Sequence, residues 1–467
     1  MHQNPSDKKP IEEGEDWEEL SLLFSKALSS QSHQTQLKAL AQFSRHSNRA
    51  PDCSLIPTVP SLVSLLSTAP SPSLRSLAAR SLSSLSRRAA FPPIIGEAGA
   101  VPALLRQLPG STAPHRTCLL KCLTRLVASD RSNRVALARA GGLPAILDEL
   151  RSCTDGSRRY LLETLTALAM LLEVRRAIVG FGGLAFIVEA AGCGSMASRT
   201  RAAQAIGLLG TARRVRHTLV DSGAVDALVG LMRDGDGPGR IVAGNALGIV
   251  SSHVDHLRLV ARAGAVPLYV ELLQGSEPLG KEIAEDVFCV LAVAEENAVS
   301  IMEHLVGVLS GDGGEEAKGA ALDVVWDIAM YKHSVPVVRN SGAIPVLIGL
   351  MRHGSSDDLR EKALRAISQL SYEEENREAM EEEGAIRLLI DLVKGDSDDL
   401  REYAAEALIC FAEEPRYRER VSEIFEIPSF LVIQERMSRI NAAGERMSSS
   451  MGLLTVEDLA SDLDFGI

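Results

Sequence analysis

The sequence repeats itself with a period of 41 to 42 residues. The clearest marker is a glycine followed by small and apolar residues, often with proline three positions later, and it begins at Gly99, Gly141, Gly182, Gly223, Gly264, Gly342 and Gly384. Successive markers are separated by 42, 41, 41 and 41 residues, then by 78 residues for two units, then by 42. Such self-similarity predicts a stack of units, because no unit buries its apolar face without a neighbour.

The copy at residues 372–412 predicts three helices per unit. The first ends at Gly384, because glycine accepts the left-handed backbone that closes many helices. The second stops at residues 394–396, and the third starts near Ser397, whose hydroxyl can cap free amides. The third helix has apolar positions at Leu400, Tyr403, Ala404, Ala407, Leu408 and Phe411. The proline of the marker falls in the first turn of the second helix, where no amide partner is lost.

Two copies deviate from this pattern. Inside the 78-residue step, residues 298–309 supply a second helix without the glycine turn, and one short helix is predicted to be shrunken. Residues 56–60 begin a degraded unit, and Ile427 and Pro428 begin another. We therefore predict an array over residues 15–440, with an N-terminal cap at 15–45 and a C-terminal cap at 413–440.

The two ends differ from the array in composition. Residues 1–14 are polar and lack periodicity, so disorder is predicted. Residues 441–467 alternate acidic and apolar residues and predict a short helix from Thr455. That tail can dock on a partner's groove or fold back on the array itself, and both alternatives stay open.

Composition narrows the classes of function. The net charge is −12 and aromatic residues make up 4% of the chain, which argues against nucleic acid as a partner. Seven cysteines without a Cys-x-x-Cys pair are typical of reduced thiols. The charge-free apolar region at residues 177–188 is too short to cross a bilayer, and no secretion signal is visible. We expect an intracellular protein, cytoplasmic and/or nuclear, without a transmembrane segment.

The period, the Gly-Ala-Ile/Val-Pro turn and the third-helix pattern together resemble armadillo repeats. The resemblance implies an all-α, right-handed α-solenoid superhelix of about nine repeats plus partial caps, without a sheet. It is closest in type to plant armadillo-only proteins and to the armadillo portion of plant U-box ubiquitin ligases, although no U-box is visible. The family binds other proteins along a concave groove lined by the third helices.

In the nuclear import adaptors of this family, a recurring Trp and an Asn four residues later clamp a basic peptide. The equivalent sites in this chain, which we call the Trp positions and the Asn positions, contain no tryptophan and no asparagine, respectively. The groove candidates at Trp positions are Lys38, Arg80, Lys121, Asn245, Asp286, Asp323, Arg365 and Glu406. Those at Asn positions are Arg125, Leu208, Ile249, Val290 and Asp327. An import adaptor is therefore not predicted.

Charge is distributed unevenly along the array. Residues 55–160 contain 14 Lys and Arg against 5 Asp and Glu, whereas residues 280–420 contain 15 against 30. One interpretation is two solvated surfaces of opposite charge. The other is a bipolar groove that takes an acidic segment at its N-terminal end and a basic one at its C-terminal end. Its middle is either an apolar strip at Leu208, Ile249 and Val290 or, with the register shifted by one, ordinary core.

No pattern in the sequence predicts catalysis, a cofactor or a metal site. Cys118 and Cys122 share a helical face but lack further ligands nearby, and His253 and His256 are interpreted as surface residues of a linker. The glycine-rich segments at 235–239 and 311–316 do not continue into a phosphate-binding motif and are predicted to be loops between helices.

Two functions remain compatible with these sequence features. The first is a non-enzymatic adaptor or scaffold that holds partner proteins along the groove, in signalling or in regulated protein degradation. The second is a permanent structural subunit of a cytoskeletal or organelle-associated assembly. The chain is expected to be a monomer or part of a hetero-complex, and its protein partners are not identified by the sequence.

Overall fold

The computed structural model describes residues 17–439 except 31, 48, 154, 155, 332, 396, 429 and 437. The N-terminal segment 1–14 and the tail 441–467, with its predicted helix from Thr455, lie outside the described residues. By its internal contacts the chain divides into two compact units, which we call unit 1 (Met1–Leu209) and unit 2 (Gly210–Ile467).

Unit 1 consists of helices joined by short connections. Their bounds are α1 Trp17–Leu28, α2 His33–His46, α3 Asp52–Leu55, α4 Val59–Thr68, α5 Pro72–Leu85, α6 Phe91–Glu97, α7 Ala100–Arg106, α8 Ala113–Ser129, α9 Arg131–Arg139, α10 Gly142–Ser152, α11 Arg158–Ala169, α12 Leu172–Gly180, α13 Leu184–Gly192 and α14 Met196–Gly210. A 3₁₀ helix, Ile56–Thr58, precedes α4 at the start of the degraded unit.

Unit 2 continues the same order of elements. Its helices are α15 Arg213–Asp221, α16 Ala224–Asp234, α17 Gly237–Ser251, α18 Val254–Arg262, α19 Ala265–Leu273, α20 Pro278–Leu291, α21 Glu295–Ser310, α22 Glu315–Ala329, α23 Ser334–Asn340, α24 Ala343–His353, α25 Asp357–Leu370, α26 Glu374–Glu382, α27 Ala385–Val393 and α28 Asp398–Glu413. A 3₁₀ helix, Ser422–Glu426, follows. All regular elements of the described residues are helical, which confirms the all-α prediction.

Within each unit the helices recur as a first, a second and a third helix. The third helices are α5, α8, α11 and α14 in unit 1 and α17, α20, α22, α25 and α28 in unit 2. In unit 1, α2 packs on α5, α5 on α8 and α8 on α11. In unit 2, α17 packs on α20, α20 on α22, α22 on α25 and α25 on α28. This order is consistent with about nine repeats.

The marker glycines stand at the junction of first and second helices. All seven have a left-handed backbone, with φ between 72° and 88°. At Gly264 a Cβ atom would meet no heavy atom within 4 Å. Glycine is therefore required there by backbone conformation, because an L-residue with a side chain rarely adopts this φ.

Small residues let the third helices approach their neighbours closely. A Cβ atom on Gly248 of α17 would lie 2.5 Å from Val287 Cγ2 of α20. The Tyr269 hydroxyl of α19 donates a hydrogen bond of 2.7 Å to the Gly244 carbonyl. The apolar layer around these contacts is buried, and each fully buried Leu or Phe side chain contributes about 1.5–3 kcal/mol to folding.

The predicted helix start at Ser397 is confirmed. The Ser397 hydroxyl accepts a hydrogen bond from the Leu400 amide, at 3.5 Å, and α28 begins at the next residue. Leu400, Ala404, Ala407, Leu408 and Phe411 are buried, as the apolar periodicity predicts, while Tyr403 is half-buried.

One repeat differs from the prediction. The segment expected to hold a shrunken first helix and a separate second helix at 298–309 is a single helix of 16 residues, α21. The reason is local, because this copy lacks the glycine that breaks the chain elsewhere. Asn297, Ala298, Ile301, Met302, Leu305, Val308 and Leu309 of α21 are buried.

The helices are too short or too polar to span a membrane individually. Within the described residues, no helix by itself has the length and apolar character needed to cross a membrane. One pair, Ser334–Asn340 and Ala343–His353, meets the criteria of length and composition when taken together, and it is bent by 71° at the break.

We expect Gly264→Ala to lower the free energy of unfolding by about 1 kcal/mol, because alanine disfavours a positive φ even where space is open. Gly230, inside α16, also has no heavy atom within 4 Å of an added Cβ and has ordinary helical geometry. Gly230→Ala is the matched control and should raise stability by about 0.5–1 kcal/mol. Urea denaturation measures both. Equal shifts in the same direction would contradict the assignment of the junction.

Candidate functional site: the third-helix faces

The third-helix face of unit 1 carries the predicted basic residues. Lys38 of α2 and Arg80 of α5 are exposed, and Lys121 of α8 is half-buried. Among the described residues, no carboxylate lies within ion-pair distance of these three side chains. Because α2, α5 and α8 are packed side by side, the three cations form one row, which we call the basic row.

Arg125 of α8 lies one turn beyond Lys121 and is held differently. Its Nη1 donates to the Ser83 carbonyl at 2.6 Å and to the Ser83 hydroxyl at 2.7 Å, both on α5. Burial and the neighbouring Arg87 lower the pKa of the Arg125 guanidinium. Arg125 therefore links α8 to α5 and also marks a region where positive charges are close to one another.

The corresponding face of unit 2 carries the predicted acidic residues, but most of them are bound within the unit. Asp323 of α22 accepts from Lys362 Nζ at 2.6 Å and from Arg365 Nη2 at 2.7 Å, both on α25. The Arg365 guanidinium also lies over the Trp326 ring, 4.4 Å from its centroid. Asp323 and Arg365, both predicted as groove residues, thus neutralise each other.

Two further acidic groove candidates have internal donors. Asp327 accepts from the Cys289 thiol at 3.0 Å. Glu406 accepts from the Ser368 hydroxyl at 2.7 Å and from the Tyr372 hydroxyl at 2.6 Å. Burial and then Asp327 raise the pKa of the Cys289 thiol. The count of acidic residues in the sequence therefore overstates the free negative charge of this face.

The remaining predicted residues are accessible to different degrees. Asp286 and Asn245 are exposed. Leu208 in unit 1 and Ile249 and Val290 in unit 2 are half-buried, so they are neither ordinary core nor a fully exposed strip. Partner binding at these positions stays a prediction.

The cysteine candidates do not form a reactive pair. Cys118 and Cys122 lie on α8, and Cys122 is fully enclosed in the core. Burial raises the pKa of the Cys122 thiol to about 12, which keeps it protonated at neutral pH. A protonated buried thiol is a poor nucleophile and a poor metal ligand.

The interpretation of His253 and His256 as surface linker residues is wrong. His253 is the N-cap of α18, and His256 lies inside α18 and is buried. His217 of α15 completes a group in which one ligand atom of each residue lies within 4.8 Å of the others. We call these residues the histidine cluster. The signal for it in the sequence is the 39-residue separation of His217 and His256, about one repeat.

We expect Asp323→Ala to lower the free energy of unfolding by about 1–2 kcal/mol, because it leaves Lys362 and Arg365 close together without their shared acceptor. Asp286 occupies the Trp position of the preceding third helix and is exposed, and no ion pair joins it to a described residue. Asp286→Ala is the matched control and should change stability by less than about 0.5 kcal/mol. Urea denaturation of both variants tests this, and similar losses would contradict it.

Comparison with known proteins supports this architecture. A family model described as Armadillo/beta-catenin-like repeat matches residues 332–372. No curated protein matches the sequence. A solved engineered protein shares 21% identity with a TM-score of 0.62, over 84% of this chain and 98% of that chain.

A second solved structure, from work on a phosphorylation switch that controls the interaction between cadherin and beta-catenin, shares 15% identity with a TM-score of 0.61, over 85% of this chain and 81% of that one. At these identities the two structures establish the fold alone. The chain thus has the fold of an armadillo-type α-solenoid, with an armadillo repeat matched at residues 332–372.

Proposed function

We propose that this chain is a non-enzymatic adaptor that holds partner proteins along its third-helix faces, and that unit 1 binds an acidic, extended segment. The observation that carries the proposal is the basic row, Lys38, Arg80 and Lys121, which has no ion-pair partner among the described residues. Unpaired cations on adjacent helices attract an acidic partner and set its register.

The spacing of the basic row suits an extended peptide. Packed helices are separated by about 8–10 Å. An extended chain advances about 3.3 Å per residue. Cations on successive third helices therefore match acidic groups placed about every third residue, and Arg125 adds a fixed donor group beside Lys121. A phosphorylated segment has the same chemistry with more charge per residue.

The second similar structure supports protein binding by this fold. It comes from work on an interaction between cadherin and beta-catenin that is controlled by a phosphorylation switch. We infer that this chain uses the same type of surface for partners of its own. Signalling and regulated degradation, and the resemblance to plant armadillo-only and U-box proteins, remain part of the proposal.

Support for the absence of catalysis comes from the thiols. Burial raises the pKa values of Cys122, Cys289 and Cys410, so none of the three is an activated nucleophile. All seven cysteines are free, in keeping with the proposed cytoplasmic and/or nuclear location.

The test uses the double variant Arg80→Glu/Lys121→Glu and a fluorescent peptide with glutamate or phosphoserine at every third position. We expect the Kd to rise at least about tenfold, which corresponds to about 1.4 kcal/mol. Arg106→Glu/Arg139→Glu is the control, because both residues are exposed in unit 1 but lie on a second and a first helix. It makes the same change in net charge away from the basic row.

Equal loss in the two double variants would show only nonspecific charge attraction and would contradict the proposal. The same pair of variants in affinity purification addresses cellular partners. Partners that are retained by both variants and survive high salt would favour the alternative, a permanent structural subunit of a cytoskeletal or organelle-associated assembly.

A further inference from the structure

The histidine cluster joins two consecutive first helices of unit 2. His256 Nε2 of α18 lies 3.1 Å from His217 Nδ1 of α15. The ring centroids are separated by 4.5 Å for His217 and His253, 4.7 Å for His217 and His256, and 5.3 Å for His253 and His256. Three imidazoles thus converge from two helices on one small volume.

The backbone fixes the tautomer of His256. Its Nδ1 lies 2.9 Å from the Val250 carbonyl oxygen, which can only accept a hydrogen bond. Nδ1 therefore carries the proton and donates, and Nε2 presents a lone pair toward His217. A carbonyl that holds one ring nitrogen while the other faces outward is the arrangement that orients imidazole ligands in metal sites.

Other repeats show that the fold does not need an imidazole at this position. His256 is the third residue of its first helix, and Asn133 and Asn297 occupy the same position in α9 and α21. Asn297 Nδ2 donates to the Leu291 carbonyl of the preceding third helix and to the Leu257 carbonyl of the preceding first helix, both at 3.1 Å.

Asn133 makes the same pair of bonds, to Pro92 and Leu126. His256 retains the link to the preceding third helix through Val250. Where asparagine would reach the preceding first helix, it meets another histidine. The replacement therefore adds a second nitrogen donor, in reach of two more imidazoles, that the inter-repeat link itself does not use.

Charged neighbours of the cluster lie at its exposed side. Arg213 Nη2 of α15 is 3.4 Å from His253 Nε2, and Asp255 Oδ2 is 3.5 Å from His253 Nδ1. Arg213 is exposed, so its guanidinium can turn toward solvent when a cation binds. Burial and then His217 lower the pKa of His253, which favours the neutral form that ligates metals.

We propose that His217, His253 and His256 bind one Zn²⁺ ion, with the fourth position taken by water. Imidazole nitrogen is a preferred zinc ligand at about 2.0–2.1 Å, so the ligand atoms of a tetrahedral site lie about 3.4 Å apart. The atoms of the cluster, all within 4.8 Å of one another, reach that spacing by small rotations of His217 and His253. The ion would clip two consecutive repeats together.

The test is zinc titration of the full, reduced chain, followed by calorimetry and by the thermal unfolding midpoint. We expect one equivalent of Zn²⁺ to bind and to raise the midpoint, because binding to the folded state alone stabilises it. His256→Asn restores the side chain found in other repeats and removes one ligand, and we expect it to weaken binding at least tenfold. His217→Gln should do the same without changing the link to Val250.

His353→Gln is the matched control, because His353 is an exposed histidine of unit 2 outside the cluster. It should bind zinc as the wild type does. Co²⁺ in place of Zn²⁺ separates nitrogen from sulfur ligation, since thiolates give an intense near-ultraviolet charge-transfer band and imidazoles do not. Failure of the wild type to bind zinc, unchanged binding in both cluster variants, or a thiolate band would overturn the proposal.

Discussion

Contacts between residues about one repeat apart hold the stack together. Asp323 pairs with Arg365 across 42 residues and with Lys362 across 39. Arg125 reaches Ser83 across 42 residues in unit 1, and Ser368 reaches Glu406 across 38 in unit 2. Because each repeat leaves apolar and polar groups for the next to cover, order in one repeat depends on its neighbours, and stability accumulates along the stack.

The two units use the same scaffold with different electrostatics. In unit 1 the charges of the basic row are left free of ion pairs among the described residues, so their field extends into solvent. In unit 2, Asp323, Asp327 and Glu406 are bound by donors from neighbouring third helices. Charge that is already neutralised adds rigidity between repeats and contributes little to attracting a partner.

The sequence predicts what depends on backbone conformation and apolar periodicity. The left-handed glycines and the capping serine of α28 are predictable from single residues, because the requirement is local and few residue types meet it. The pairing of Asp323 is not, because a count of charges along the chain does not say which side chains meet across repeats. His217 escapes prediction for a related reason. Metal-ligand patterns in a sequence are recognised over a few residues, whereas the stack brings together residues about one repeat apart.

Helix α21 changes the edge of unit 2 on which first and second helices meet. After Gly223 and Gly264, the first turn of a new helix presents backbone amides without intrahelical acceptors. In α21 the chain passes through the same place as a continuous helix, so the amides that follow Ala298 are bonded to carbonyls four residues earlier. This edge therefore offers solvent a series of free donors that is interrupted for one repeat, and amide exchange should be slow there while it is fast at the junctions on either side.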